Sequence, residues 1–177
     1  MTTPPEEAFQ MGLAAHRQGD WQRAEQCYQR AVALAPAYSD AWNNLGVVAQ
    51  NRNQTSQSIT FYITALRHNP KFVAAWGNLG AVFEGVGRFK ESAACYEAGL
   101  RLSEKAEILS NLAGLYREMG QFQKAYICYR KAVKLGGENL LHIHSAWCFT
   151  VDQDPASTLA DRVAVKRAFR EGLNAQA

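Results

Sequence analysis

Proline is scarce in this chain. Five residues in 177, at Pro4, Pro5, Pro36, Pro70 and Pro155, leave long stretches that no pyrrolidine ring interrupts, which suits helices. Cysteine is scarcer: Cys27, Cys95, Cys128 and Cys148 form no Cys-x-x-Cys pair and read as free, buried thiols of a reducing compartment. No apolar run approaches the roughly 18 residues needed to span a bilayer. The opening Met1-Thr2-Thr3-Pro4-Pro5-Glu6-Glu7 lacks the basic start and apolar stretch of a secretory signal. A cytoplasmic location is expected. Charge of one sign is also lacking: the net +3 is spread over interspersed acids and bases, without the basic face a nucleic-acid partner requires. There is no Gly-x-Ser-x-Gly, Walker loop, His-Glu-x-x-His or dinucleotide fingerprint, and nothing pairs a nucleophile with its base. Neither catalysis nor a cofactor is expected.

What the chain does contain is an apolar share of 47% against 20% charged residues, enough to bury a core and to argue against disorder. It also contains a repeat. Tyr28, Tyr62 and Tyr96 recur at intervals of 34, as do Pro36 and Pro70, Trp42 and Trp76, Asn44 and Asn78, and Gly46 and Gly80. A fourth copy follows one residue early, with Asn111, Leu112, Ala113 and Tyr129 in the corresponding places; the lost residue belongs around 101–105, where the expected proline is also missing. Apolar spacing within each copy is helical, with Ala24, Cys27, Tyr28, Ala31, Val32 and Leu34 near one stripe. Gly19, Asn53, Gly87 and Gly120 punctuate each copy at one position, and these residue types tolerate the left-handed conformation that ends a helix. Asp20 and Thr55 are candidate caps for the helices that follow. The unit is therefore helix, tight turn, helix, in copies at 5–38, 39–72, 73–105 and 106–139.

Residue size gives the packing logic. Gly12, Gly46, Gly80 and Ala113 share one position of the first helix, and Ala24, Ser58, Ser92 and Ala125 one position of the second. Small residues let helix axes approach, while the recurrent tyrosines fill the remaining space and are expected to pack against the following repeat. No single pair buries its apolar faces alone, so the copies need one another.

Trp42-x2-Leu45-Gly46 followed by Ser58, Tyr62, Ala65 and Pro70, and Trp76-x2-Leu79-Gly80 with Tyr96, resemble the tetratricopeptide signature. The resemblance covers roughly residues 5–139 and is looser in copies one and four, where Ala8 and Leu109 replace the tryptophan. It implies an all-α fold, a right-handed α-solenoid of helix-turn-helix repeats whose first helices line a concave groove, and a role in binding a protein or extended peptide. On that resemblance Asn44, Asn78 and Asn111 face the groove, like the asparagine ladder that grips a bound main chain in O-linked N-acetylglucosamine transferases. An amide side chain offers the donor and acceptor that match a peptide unit. The alternative is that each asparagine bonds a neighbouring group and simply fits the repeat. Gln10 and Ser145 would extend the polar row, Asn43, Gly77 and Ser110 are small or polar neighbours, and Val47, Ala81 and Gly114 keep the floor shallow. Glu84, Arg117 and Glu118 alternate in sign. The carboxylate clamp of chaperone-binding tetratricopeptide domains is not reproduced, since its positions fall on Phe9, Leu13, Ala74 and Asn78.

Beyond Gly136-Gly137 the pattern changes. Residues 140–173 read as C-terminal capping helices, with Leu159, Val163, Val165, Ala168 and Phe169 set among Asp161, Arg162, Lys166, Arg167 and Arg170. The stretch Ser145–Pro155 is similar to the linker between repeats and catalytic domain in the same transferases, which implies an accessory, substrate-selecting array in a glycosyltransferase system as a second possibility. Self-association through terminal helices is a third. His144 and Cys148 are spaced i, i+4, but His142 would point elsewhere on a helix, so too few ligands converge and no metal is expected.

Overall fold

The computed structural model describes residues 3–136 together with 158, 162, 163 and 167. Eight helices form among the described residues: α1 (Pro4–Arg17), α2 (Trp21–Leu34), α3 (Ser39–Asn51), α4 (Thr55–His68), α5 (Val73–Gly85), α6 (Phe89–Leu102), α7 (Ala106–Glu118) and α8 (Phe122–Leu135). The chain is an all-α helical repeat of the solenoid class. It divides into two units, Met1–Arg88 and Phe89–Ala177, so the division falls inside the third helix pair. The expected capping helices at 140–173, Ser145, and the 145–155 linker lie outside the described residues, apart from four isolated positions.

Every intra-pair turn closes in one way. Gly19, Asn53, Gly87 and Gly120 have φ of 74°, 58°, 75° and 69°, the left-handed region expected of them. The next residue then donates its N–H five residues back: Asp20 to Ala15 at 3.0 Å, and Gln54 to Ala49, Arg88 to Phe83 and Gln121 to Tyr116 at 2.8 Å each. This pattern satisfies carbonyls that the helix end would otherwise orphan. Asp20 also caps α2, its Oδ1 accepting from Arg23 N–H at 3.0 Å. The Thr55 cap does not form. Gln54 holds the cap position, without a side-chain bond, and Thr55 is the first helical residue. Gln54 is the register partner of Asp20, and its N–H is committed to the turn in the same way.

The turns between pairs explain why tryptophan and proline recur together. The Trp42 indole N–H donates to the Pro36 carbonyl at 2.8 Å, and Trp76 to Pro70 at 2.9 Å. Both turns span four residues, 35–38 and 69–72, whereas the third spans only 103–105, one residue shorter as the repeat spacing requires. That third turn lacks the proline, and Leu109 stands buried in the tryptophan's place.

In the first unit the core runs through Ala8, Ala24, Tyr28, Ala31, Val32, Ala41, Leu45 and Val48. Tyr28 and Tyr62 are fully buried, but their rings lie on the glycine of their own pair. A Cβ on Gly12 would meet Tyr28 Cε1 at 2.5 Å, and one on Gly46 would meet Tyr62 Cε1 at 2.5 Å. The expected packing against the following repeat holds for Tyr28, which shares a core cluster with Ala41, Leu45 and Val48, and the contact with the glycine of the same pair is additional to it. Each closes its own helix pair, and the next repeat's Ala41 and Leu45 complete the cluster around Tyr28. Leu34 leaves the expected stripe and is 49% exposed, and Cys27 is half-buried. At about 100° per residue, the buried residues of α2 span an arc of about 100°, with Leu34 and Cys27 about 60° and 40° outside it. An ion pair between Glu25 and Arg52 links successive repeats.

In the second unit Tyr129, Ala113 and Ala125 reproduce the buried set. Tyr116 Oη donates to Glu97 at 2.7 Å, tying α7 to α6. The Ser92 hydroxyl is buried in α6 with no hydrogen-bond partner. Cys95 is buried and free, its thiol pushed up to about 11 chiefly by burial, and Cys128 is free and half-buried.

Candidate functional site

In the first unit α1, α3 and α5 are the first helices of their repeats. Asn44 on α3 and Asn78 on α5 are half-buried, Gln10 on α1 is exposed, and Glu84 is half-buried in the last turn of α5. Asn43 is only 7% exposed, so it does not line a surface. Its amide is engaged on both sides. Asn78 Nδ2 donates to Asn43 Oδ1 at 3.0 Å, and Asn43 Nδ2 donates to Asn44 Oδ1 at a longer 3.5 Å. Three amides therefore form one chain from α5 into α3. Capacity remains beyond these bonds. Asn78 keeps its carbonyl and one N–H, and Asn44 keeps two N–H donors.

In the second unit Asn111 is exposed on α7, Ser110 beside it is half-buried, and Arg117 is half-buried in the last turn.

Glu84 and Arg117 share a register whose use was hidden from the sequence. In the first repeat that register holds His16, whose Nδ1 lies 3.3 Å from the Tyr28 hydroxyl; in the second it holds Gln50, whose Oε1 accepts from Tyr62 at 3.1 Å. Burial lifts the Tyr28 phenol to about 12 and also raises Tyr62, so both remain donors at neutral pH. Burial lowers His16, which favours the neutral imidazole, the only form able to accept. Trp21 stands edge-on to that imidazole at 4.9 Å. These side chains close a helix pair rather than await a ligand.

A cleft of about 440 Å³ opens between the start of α1 and the turn 35–38, lined by Thr3, Pro5, Glu6, Pro36 and Tyr38 among others, and none of the asparagine amides belongs to it. No three His, Cys, Asp or Glu residues converge as metal ligands among the described residues, and His142, His144 and Cys148 lie outside them. Nor is any helix among the described residues long and apolar enough to cross a membrane.

Tetratricopeptide repeat models match residues 5–38 and 106–139, 27–60, and 73–105. Among solved structures, a MamA protein superposes with a TM-score of 0.77 at 14% identity, covering 96% of this chain and 90% of that one. MamA from residue 41 onward, of Desulfovibrio magneticus RS-1, gives 0.78 at 17%, covering 98% and 96%. PilF of Pseudomonas aeruginosa gives 0.80 at 17%, covering 95% and 76%. Identities this low establish a shared fold. No curated protein is similar to the chain.

Proposed function

Since this chain belongs to the tetratricopeptide repeat family, we propose that it is a non-catalytic scaffold whose first-helix face takes an extended polypeptide segment. The observation that carries the reading is the pair Asn44 and Asn78. These half-buried amides sit on successive first helices and keep hydrogen-bonding capacity after their internal bonds are made. Asn111 on α7 offers the same group in the second unit. An extended chain presents a carbonyl and an N–H at every residue, which is what such amides complement. Each bond contributes a net ~0.5–1.5 kcal/mol, so Asn44 and Asn78 hold a main chain modestly and with little regard for its side chains. Contacts with Leu13, Val47 and Ala81 would supply the rest. The test compares polypeptides that co-purify with wild type and with the triple variant Asn44→Ala, Asn78→Ala, Asn111→Ala, identified by mass spectrometry, with circular dichroism confirming equal folding. Polypeptides lost from the variant alone identify the partner; identical sets refute the reading.

A second reading, self-association, is favoured by one observation. Met11 is 48% exposed, whereas Leu45 and Leu79 in the same register are 1% and 4% exposed. Repeat one therefore carries an apolar residue of the kind that the later repeats bury. Light scattering decides between the two: a concentration-dependent mass that Met11→Asp abolishes and the asparagine variants leave intact would favour assembly.

A further inference from the structure

We infer that the cleft between the start of α1 and the turn 35–38 takes a lysine or arginine side chain of a bound polypeptide, its apolar stem along the prolines and its charged head at Glu6 and the Tyr38 hydroxyl. The site shares only the class of ligand with the asparagine face, and no residue belongs to both.

The cleft is built before any ligand arrives. One wall is a closed turn, in which Tyr38 N–H donates to the Ala35 carbonyl at 3.0 Å and the Trp42 indole N–H to the Pro36 carbonyl at 2.8 Å. The half-buried Tyr38 ring is backed by Phe9, with 4.9 Å between ring centres. Pro5, Ala35, Pro36 and Ala37 supply apolar lining. At about 440 Å³ the space falls in the range of small-ligand sites, about 300–1,000 Å³.

Two polar groups line it with capacity to spare. Glu6 Oε2 accepts from Thr3 N–H at 2.9 Å, a bond that caps α1 and fixes the carboxylate while leaving Oε1 uncommitted. The Tyr38 hydroxyl makes no hydrogen bond among the described residues, and neither Glu6 nor Asp40 is ion-paired there. The hydrogen bonds from Thr3 hold the Glu6 carboxyl below its ordinary value, so it is anionic at neutral pH. Burial, Asp40 and Glu6, in that order, raise the Tyr38 phenol, so the fields of two carboxylates meet at its hydroxyl.

An apolar channel that ends in uncompensated negative charge complements one kind of side chain. Lysine and arginine lay a methylene stem on apolar surface and carry a cationic head that only donates. A carboxylate is repelled, and a short polar side chain leaves the prolines uncovered. The later copies do not repeat the combination. Phe72 and Lys71 stand where Tyr38 and Ala37 do, and the third turn has Lys105 in the tyrosine's place.

The probe is an acetylated, amidated octapeptide selected from a random displayed library for binding to the full chain at low salt. The selected sequences should share a lysine or arginine. Replacing that residue by norleucine, which keeps the stem and removes the charge, should weaken binding about two- to fivefold, as an exposed ion pair allows, and by less in high salt. Glu6→Gln keeps the cap of α1, since a glutamine oxygen serves there equally. In that variant the parent octapeptide should lose a similar factor, and norleucine should then cost nothing more. Tyr38→Phe, which copies Phe72 and leaves the cap untouched, should weaken the parent in the same direction. Selected octapeptides without a basic residue, or a norleucine loss equally large in wild type and both variants, overturn the inference. Binding lost in Asn44→Ala and Asn78→Ala but not in Glu6→Gln or Tyr38→Phe does so too, and leaves the asparagine face standing alone. The reverse pattern supports the cleft and refutes that face. A mass in light scattering that rises with concentration and falls on Glu6→Gln makes the occupant a second copy of this chain, against the inference.

Discussion

Gly46→Ala is the substitution on which the packing argument is most exposed. The added Cβ would stand 2.5, 2.7 and 2.8 Å from Cε1, Cδ1 and Cζ of Tyr62. That ring is fully buried and its hydroxyl is tied to Gln50 at 3.1 Å, so it cannot swing aside freely. Overpacking of this kind costs roughly 1–3 kcal/mol. Alanine regains about 1 kcal/mol over glycine as a helix former, leaving a net loss of up to roughly 2 kcal/mol. In a chain of this size, that lowers the melting temperature by up to about 8 °C. Gly114→Ala in α7 is the control. Its Cβ would meet only the Tyr129 hydroxyl, at an ordinary 3.8 Å, so the helix-propensity gain should appear undiminished as a stabilisation of about 0.5–1 kcal/mol. Repeat four already pairs Ala113 with Tyr129, both buried, so a Cβ in the Gly46 register is compatible with the fold once the ring has given way. For that reason Gln50→Ala, which releases the hydroxyl, should make Gly46→Ala less costly. Thermal unfolding followed by circular dichroism reads the wild type, the three single variants and the double variant Gln50→Ala, Gly46→Ala. A Gly46→Ala variant stabilised as much as Gly114→Ala would refute the claim that the glycine is required by the close approach of Tyr62.

Two further outcomes follow from the polar groups. Ser92→Ala removes a buried hydroxyl without a partner and installs the residue that repeats one and four carry in that register; it should stabilise the chain by roughly 1–2 kcal/mol in denaturant titration. His16 is lowered by burial in the folded chain, so between its folded value and the unfolded value near 6.5 the unfolded state binds more protons. Its contribution is present above that window and lost as pH falls through it. His16→Gln, which copies Gln50, should give a melting temperature that falls less steeply than wild type's between about pH 7 and 5.

The sequence was most informative where one residue type has one physical use. Gly19, Asn53, Gly87 and Gly120 all take the left-handed conformation they were expected to take, because few other residues adopt it without strain. The shortened third turn was legible from spacing alone. The limits have a geometric cause. Recurrence compares residues 34 apart and so aligned Asn44 with Asn78, yet the bond is made by Asn43, which is 35 away, because neighbouring helices do not meet register to register. His16 and Gln50 were invisible for the opposite reason. They occupy one register and serve the same hydroxyl role with different chemistry, so no recurrence marks them. Leu34 shows a third limit: an apolar residue near a stripe belongs to it only when its angle around the helix agrees.

The indole-to-carbonyl bonds at the inter-repeat turns bear on how such a chain can be cut and rejoined. Trp42 belongs to one repeat and Pro36 to the one before it, so exchanging the segment 39–72 as a cassette severs a bond at its leading edge and, at Pro70 and Trp76, another at its trailing edge. A cassette that runs from one intra-pair turn to the next, such as 21–53, carries its tryptophan and proline together, but it parts Tyr28 from Gly12 and His16 at one edge and Gly46 and Gln50 from Tyr62 at the other. The helix pair is then the natural module for grafting, because its buried tyrosine, glycine and hydroxyl partner travel together, and a chimera joined at the prolines has only to supply a tryptophan and a carbonyl at each seam.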